Sequence, residues 1–185
     1  MQTETASPLR KLGTAFSRAR SDRNVLRVYS RLDIPQPWDM TEFVAHVEDT
    51  RRRRITLMPV DDANLPRNGT FGMWLALADE DVITYTTDTT LFHQNHIVCH
   101  ELGHMLMRHR STQADAESDA ASLAPLFPDL DIRSLESILG RSQFSTAREY
   151  EAEQLATLIM RDACEGLLSR SQGVAARLGD ALRGH

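Results

Sequence analysis

The sequence predicts an α+β fold in which helices come first, a small antiparallel sheet follows and further helices close the chain. Three observations carry this. Apolar residues recur at helical spacing before residue 54 and again after residue 145; the period shortens toward two between residues 55 and 86; and one apolar run, residues 96–109 (HIVCHELGHMLMRH), combines helical spacing with four histidines. At 185 residues, with 41% hydrophobic and 25% charged, the chain can bury a real core and has the make-up of a globular domain.

Pro8 to about Arg31 places Leu9, Leu12, Phe16, Val25, Leu26, Val28 and Tyr29 at helical intervals. The following DIPQPWD breaks that helix, because Pro35 and Pro37 disfavour helix before them. Asp39 or Thr41 can cap a second helix reaching about Arg52, with Phe43, Val44 and Val47 as its apolar set. Arg51–Arg54 reads as the solvated C-terminus of that helix, where cations suit the dipole. Ile55–Val60 reads as a strand and DDANLPRNG as a loop. GMWLALA and VITYT form a hairpin turned at Asp79-Glu80-Asp81. A helix from about Thr90 to Arg108 follows. Residues 111–145 are acidic and irregular, with one short helix, IRSLESILG, ending at Gly140. TAREYEAEQLATLIM resumes a strong helical pattern. A separate amphipathic helix near Gly166–Leu182 ends the chain. The parts are then a helical scaffold or docking segment (1–54), a core (55–163) and a terminal helix packed on it (164–185).

Net charge is −5 but uneven, +4 over residues 1–54 and −9 beyond. A mixed solvated surface explains this better than nucleic-acid docking, so no direct nucleic-acid partner is expected. Cys99 and Cys164 suggest no disulfide framework, MQTETASPLRKLG has no apolar signal core, and no apolar run approaches a membrane span. The expectation is a cytoplasmic protein without membrane contact.

Chemistry concentrates in His100-Glu101-x-x-His104. Residues four apart on a helix share a face and are separated by about 6 Å along the axis, so both imidazoles can reach one ion. Glu101 lies about 100° round the helix, where it can hold a water without ligating the metal. At this chain's own His and Glu frequencies, chance yields such a match in about one of 70 chains of this length. The surroundings lower that figure: Val98, Cys99, Leu102, Met105 and Leu106 cluster on one side, roughly opposite His100 and His104.

A third ligand is required. A histidine six residues after His104, preceded by a glycine, would occupy the places where the chain has Arg110 and Met107, and His109 is out of register. His96 lies about 12 Å along the axis from His104, too far to share the ion, and His93 farther still. A carboxylate from the downstream helix remains, the gluzincin arrangement. There the apolar arc of Ala152, Leu155, Ala156, Ile159 and Met160 lies closest to Glu149, and the two alanines permit close helix approach. Glu149 is therefore the expected third ligand. Glu153 sits where thermolysin-like enzymes place an acid that orients a ligand histidine. Glu151 points to the opposite edge, toward solvent. The hairpin can lend a strand edge to extended substrate, and either Tyr85 or Tyr150 can stabilise an oxyanion.

Over roughly Ile55–Met160, on His100-Glu101-Leu102-Gly103-His104 and the downstream E-x-E-A at 149–152 followed by Ala156, the chain resembles the ImmA/IrrE family of bacterial metallopeptidases. The resemblance implies a zincin-like domain, Zn²⁺ held by His100, His104 and Glu149, and Glu101 as general base. It further implies action on a Xre-type helix-turn-helix repressor or an antitoxin. The family's Asn or Asp after E-x-E-A is Glu153 here, its phenylalanine two residues later is Leu155, and its Leu-Met-Pro is LIMRD, which resembles the shorter actinobacterial members. The leading expectation is a zinc endopeptidase. The alternative is a metal-binding regulator or toxin–antitoxin component that acts by binding alone.

Overall fold

The computed structural model describes residues 8–61, 71–109, 137–139 and 146–183. The elements run α1 (Pro8–Tyr29), α2 (Met40–Arg51), β1 (Arg54–Val60), β2 (Gly72–Ala76), β3 (Glu80–Thr86), α3 (Leu91–Leu106), β4 (Ser137–Leu139) and α4 (Thr146–Arg183). The molecule is α+β.

Helix starts follow local chemistry. The Asp39 carboxylate accepts from the Glu42 amide at 2.9 Å, while Trp38 just before the cap packs on Phe43, with ring centroids 5.4 Å apart. That is a capped start fastened by an apolar staple. Thr90 caps α3 by accepting from the His93 amide at 3.3 Å.

Of the arginine run, Arg52 and Arg54 are exposed, as a solvated helix end requires, but Arg51 and Arg53 turn inward. Arg52 takes the left-handed conformation (φ 53°), and the amide of Arg53 returns to the Glu48 carbonyl. This closure turns the chain from α2 into β1 and sends Arg53 inward. Arg51 and Arg53 both donate to Asp81, at 2.7 and 3.1 Å, and Asp81 is 1% exposed. Its other carboxylate oxygen accepts from the Trp74 indole at 2.9 Å. Asp81 is thus no turn residue: it is the second residue of β3, and the hairpin turns at residues 77–79.

The sheet order is β1-β3-β2-β4. The hairpin pairs antiparallel, Gly72 opposite Tyr85 and Ala76 opposite Asp81, but β1 runs parallel to β3, so the sheet is mixed where an all-antiparallel one was expected. The reason is connectivity. The chain crosses from β1 to β2, reverses, and β3 recovers the direction of β1 beside it. IRSLESILG also departs from expectation, since Ser137–Leu139 is a strand antiparallel to β2; the rest of that segment lies outside the described residues. The open edge of β2 supplies backbone partners that outweigh a short helix's weak local preference. Finally, the two expected C-terminal helices are one, unbroken through Gly166. At Gly166 the Gln36 amide lies against the helix, in the space that a Cβ would enter.

α3 lies between the sheet and α4, and α1 covers α4. Ile55, Trp74, Ile83, Val98, Leu102, Leu155 and Ile159 meet in one buried core with Val25 and Phe43 from the N-terminal helices. Among the described residues, no helix is long and apolar enough to cross a membrane.

Candidate metal centre

Close approach of α3 and α4 builds the site. At Gly103 a Cβ would lie 3.0 Å from both the Cα and the carbonyl oxygen of Ala152; Ala152 and Ala156 are fully buried. Glycine against alanine lets the helix backbones nearly touch, so one turn of α3 faces the first turns of α4.

His100 and His104 meet there, Nε2 to Nε2 at 3.0 Å. Glu149, in the first turn of α4 where the dipole favours an anion, lies 3.5 Å from His100 Nε2 and 3.7 Å from His104 Nε2. Donors bound at about 2.0–2.1 Å to one tetrahedral ion stand roughly 3.3 Å from each other. These three donors therefore fit a single metal ion, with His104 buried (2% exposed) and Glu149 toward solvent. His104 is not on an open face, as its position opposite the apolar cluster suggested, because α4 closes over it.

Electrostatics suit ligation. Burial, reinforced by the charge of His100, pushes the His104 imidazole down to about 3, so it stays neutral with a lone pair available. For His100 burial acts the same way, but the surrounding carboxylates of Glu149, Glu101 and Glu153 prevail and raise it. The Glu149 carboxyl is lowered, chiefly by its hydrogen bond to His100.

Glu101 stands beside the pair, 6% exposed. Burial pushes its carboxyl up to about 7, aided by Glu149 and opposed by His100 and by a hydrogen bond from the backbone of Trp74. Strand β2 presses on this group: a Cβ on Gly72 would be 3.3 Å from Glu101 Oε1 and 2.4 Å from Ile97. Hairpin bonds from Thr86 to Phe71 and from Leu77 to Glu80 fix the pleat. Gly72, Trp74 and Ala76 then turn their peptide groups away from β3. Among the described residues β4 pairs with β2 at Trp74–Ala76 and does not reach Gly72. VITYT, by contrast, is interior to the sheet and offers no edge.

Glu153 Oε2 lies 3.3 Å from His100 Nδ1, the nitrogen facing away from the donor cluster, and Glu153 Oε1 lies 3.2 Å from His96 Nε2. The tyrosines separate. The Tyr150 hydroxyl donates to Asp22 at 2.8 Å, and its ring packs under Arg18, in the interface with α1. Tyr85 is cross-strand from Gly72, hence on the sheet face that meets α3.

Glu151 is not solvent-facing. Its side chain is 12% exposed, and Oε2 lies 3.0 Å from His109 Nε2, while Asn24 of α1 donates to Oε1 at 3.4 Å. His109 in turn sets Nδ1 3.0 Å from Nδ1 of His104. Burial lowers His109 in spite of Glu151 and keeps it neutral. The signal was present in the sequence as the five-residue interval from His104 to His109. A helix closed by a left-handed residue folds the chain back over that interval, and Arg108 (φ 56°) is that residue.

Comparison with protein-family models, with curated proteins and with solved structures returns no match. The site is therefore judged by its own geometry.

Proposed function

We propose that this chain is a zinc-dependent endopeptidase with a zincin-like domain. The observation that carries the reading is the convergence of His100, His104 and Glu149 on one point with Glu101 held beside it. A purely structural site has no use for a buried base next to an open coordination position. The resemblance to the ImmA/IrrE family supports the same assignment and suggests the substrate: a cytoplasmic Xre-type repressor or antitoxin.

Zn²⁺ bound by His100, His104 and Glu149 would supply a Lewis acid that acidifies water and polarises the scissile carbonyl. Glu101 then takes the water's proton as the oxygen attacks the carbonyl carbon, and returns that proton to the departing amine nitrogen. The Trp74 peptide aims the carboxylate, and the outward peptide groups of Gly72 can hold an extended substrate beside it. Tyr85, on that face, is the better placed of the two tyrosines to stabilise an oxyanion; Tyr150 is committed to Asp22.

Co-expression with the regulator encoded next to it, comparing native chain with Glu101→Gln, tests the proposal. Cleavage of the regulator should be lost in the variant by at least about a hundredfold, with zinc content unchanged. If Glu101→Gln still relieves repression, binding without hydrolysis is the mechanism.

A further inference from the structure

Both candidate ligand histidines have their second ring nitrogen engaged, but by different means. His100 Nδ1 meets the Glu153 carboxylate directly. His104 Nδ1 meets another imidazole, whose far nitrogen meets the Glu151 carboxylate. We infer that His109 and Glu151 are positioning residues forming a relay that orients His104 toward a metal ion and strengthens it as a donor.

One proton order satisfies these contacts together. With Nε2 of His104 turned to the donor cluster as a lone pair, its proton sits on Nδ1 and is donated to Nδ1 of His109. His109 must then carry its proton on Nε2, which donates to Glu151 at 3.0 Å. Each nitrogen has one role, and the chain ends on a carboxylate that Asn24 steadies. The helix terminus builds this arrangement. The His109 amide returns to the His104 carbonyl at 3.0 Å and that of Arg108 to Met105 at 3.1 Å, a closure that sets the residue past the turn against the side chain five positions earlier. The rings accordingly lie edge to face, with centroids 5.2 Å apart. On α4, Glu149, Glu151 and Glu153 divide the work: one faces the ion position and its two neighbours back the two histidines.

The inference rests on the metal reading above, but not on hydrolysis. Zn²⁺ affinity, measured by competition with a chromophoric chelator, tests it, with far-UV circular dichroism of the metal-free proteins as the folding check. His109→Phe should weaken Zn²⁺ binding 10- to 100-fold, the usual cost of losing such a partner. His109→Gln should stay within about threefold of wild type, because its amide oxygen accepts and its amide N–H donates in the same order. Glu151→Gln should fall between them, and Co²⁺ absorption should shift in His109→Phe while matching wild type in His109→Gln. Wild-type affinity in His109→Phe, or equal weakening in Phe and Gln variants, overturns the relay. Should His109→Phe fail to fold, wild-type affinity in Glu151→Gln overturns it instead. Wild type that binds Zn²⁺ but cleaves nothing sinks the peptidase reading and leaves the relay standing; wild type that binds no Zn²⁺ sinks both.

Discussion

At the scale of single residues, burying the ionisable groups of this site costs stability in the metal-free chain. Glu101 ordinarily ionises near 4.5, and burial raises it to about 7 in the folded chain. Between those pH values the folded state holds a proton that the unfolded state has lost. Metal-free stability therefore falls as pH rises through this window, and the full loss is present above it. The difference corresponds to about 3 kcal/mol. His104 acts at the other end: lowered to about 3, it costs stability as pH falls below its ordinary 6.5. Comparing Glu101→Gln with wild type cancels the His104 effect. The variant should gain stability over wild type progressively from pH 4.5 to 7, reaching roughly 2–3 kcal/mol at pH 8 in urea titrations with chelator present. A pH-independent difference would show that Glu101 is not the buried acid described here. The gain would sit in the same substitution expected to abolish hydrolysis, the usual conflict between stability and a charged site.

At the scale of elements, α1, α2 and α3 are legible in the sequence because their signals are local. Asp39, Thr90 and the apolar spacing of α2 and α3 set starts and lengths within the chain segment itself, and the choice of Glu149 needed only the angular position of Ala152 and Ala156 on α4. The alanines of α4 announce its close approach to α3; what the sequence does not mark is the residue of α3 that receives them. Gly103 looks like an ordinary helix-weakening residue until Ala152 is found against it. Adding a methyl there gains about 1 kcal/mol of helix propensity, yet it meets backbone that cannot rotate away, and overpacking of this kind costs about 1–3 kcal/mol. In stability these terms partly offset each other, leaving a loss of about 0–2 kcal/mol. They do not offset each other at the site, where metal–ligand distances tolerate only about 0.2 Å. Gly103→Ala should lower the melting temperature without metal by no more than about 8 °C but bind Zn²⁺ at least tenfold more weakly in chelator competition. Unchanged affinity would mean that α3–α4 spacing does not set the ligand geometry. Glu151, Arg51 and Arg53 depart from the sequence reading for one reason: each meets a buried partner, His109 or Asp81, that lies remote along the chain or beyond a helix end.

At the scale of the whole molecule, the N-terminal helices are built into the same core as the site. Val25 and Phe43 share it with Leu102 and Leu155, Tyr29 donates to Asp162, and Asn24 reaches the carboxylate behind His109. Arg51 joins the levels, bonding Asp81 of the sheet at 2.7 Å and the Met105 carbonyl at the end of α3 at 3.2 Å. Cutting the sequence near residue 54 follows the change in hydrophobic period, which reports strand against helix and carries no information on where a core ends. Shared burial predicts one cooperative unit. The two tryptophans test this, since Trp38 reports on the start of α2 and Trp74 on the sheet. In Trp74→Phe the remaining fluorescence comes from Trp38, and in Trp38→Phe from Trp74. Within each variant, urea unfolding followed by fluorescence should coincide with far-UV circular dichroism, although Trp74→Phe should be the less stable because Asp81 loses its indole donor. A Trp38 transition well before that of the circular dichroism would make α1 and α2 a separately melting layer, and the link from Asn24 to the metal centre would then be one that opens while the site stays folded.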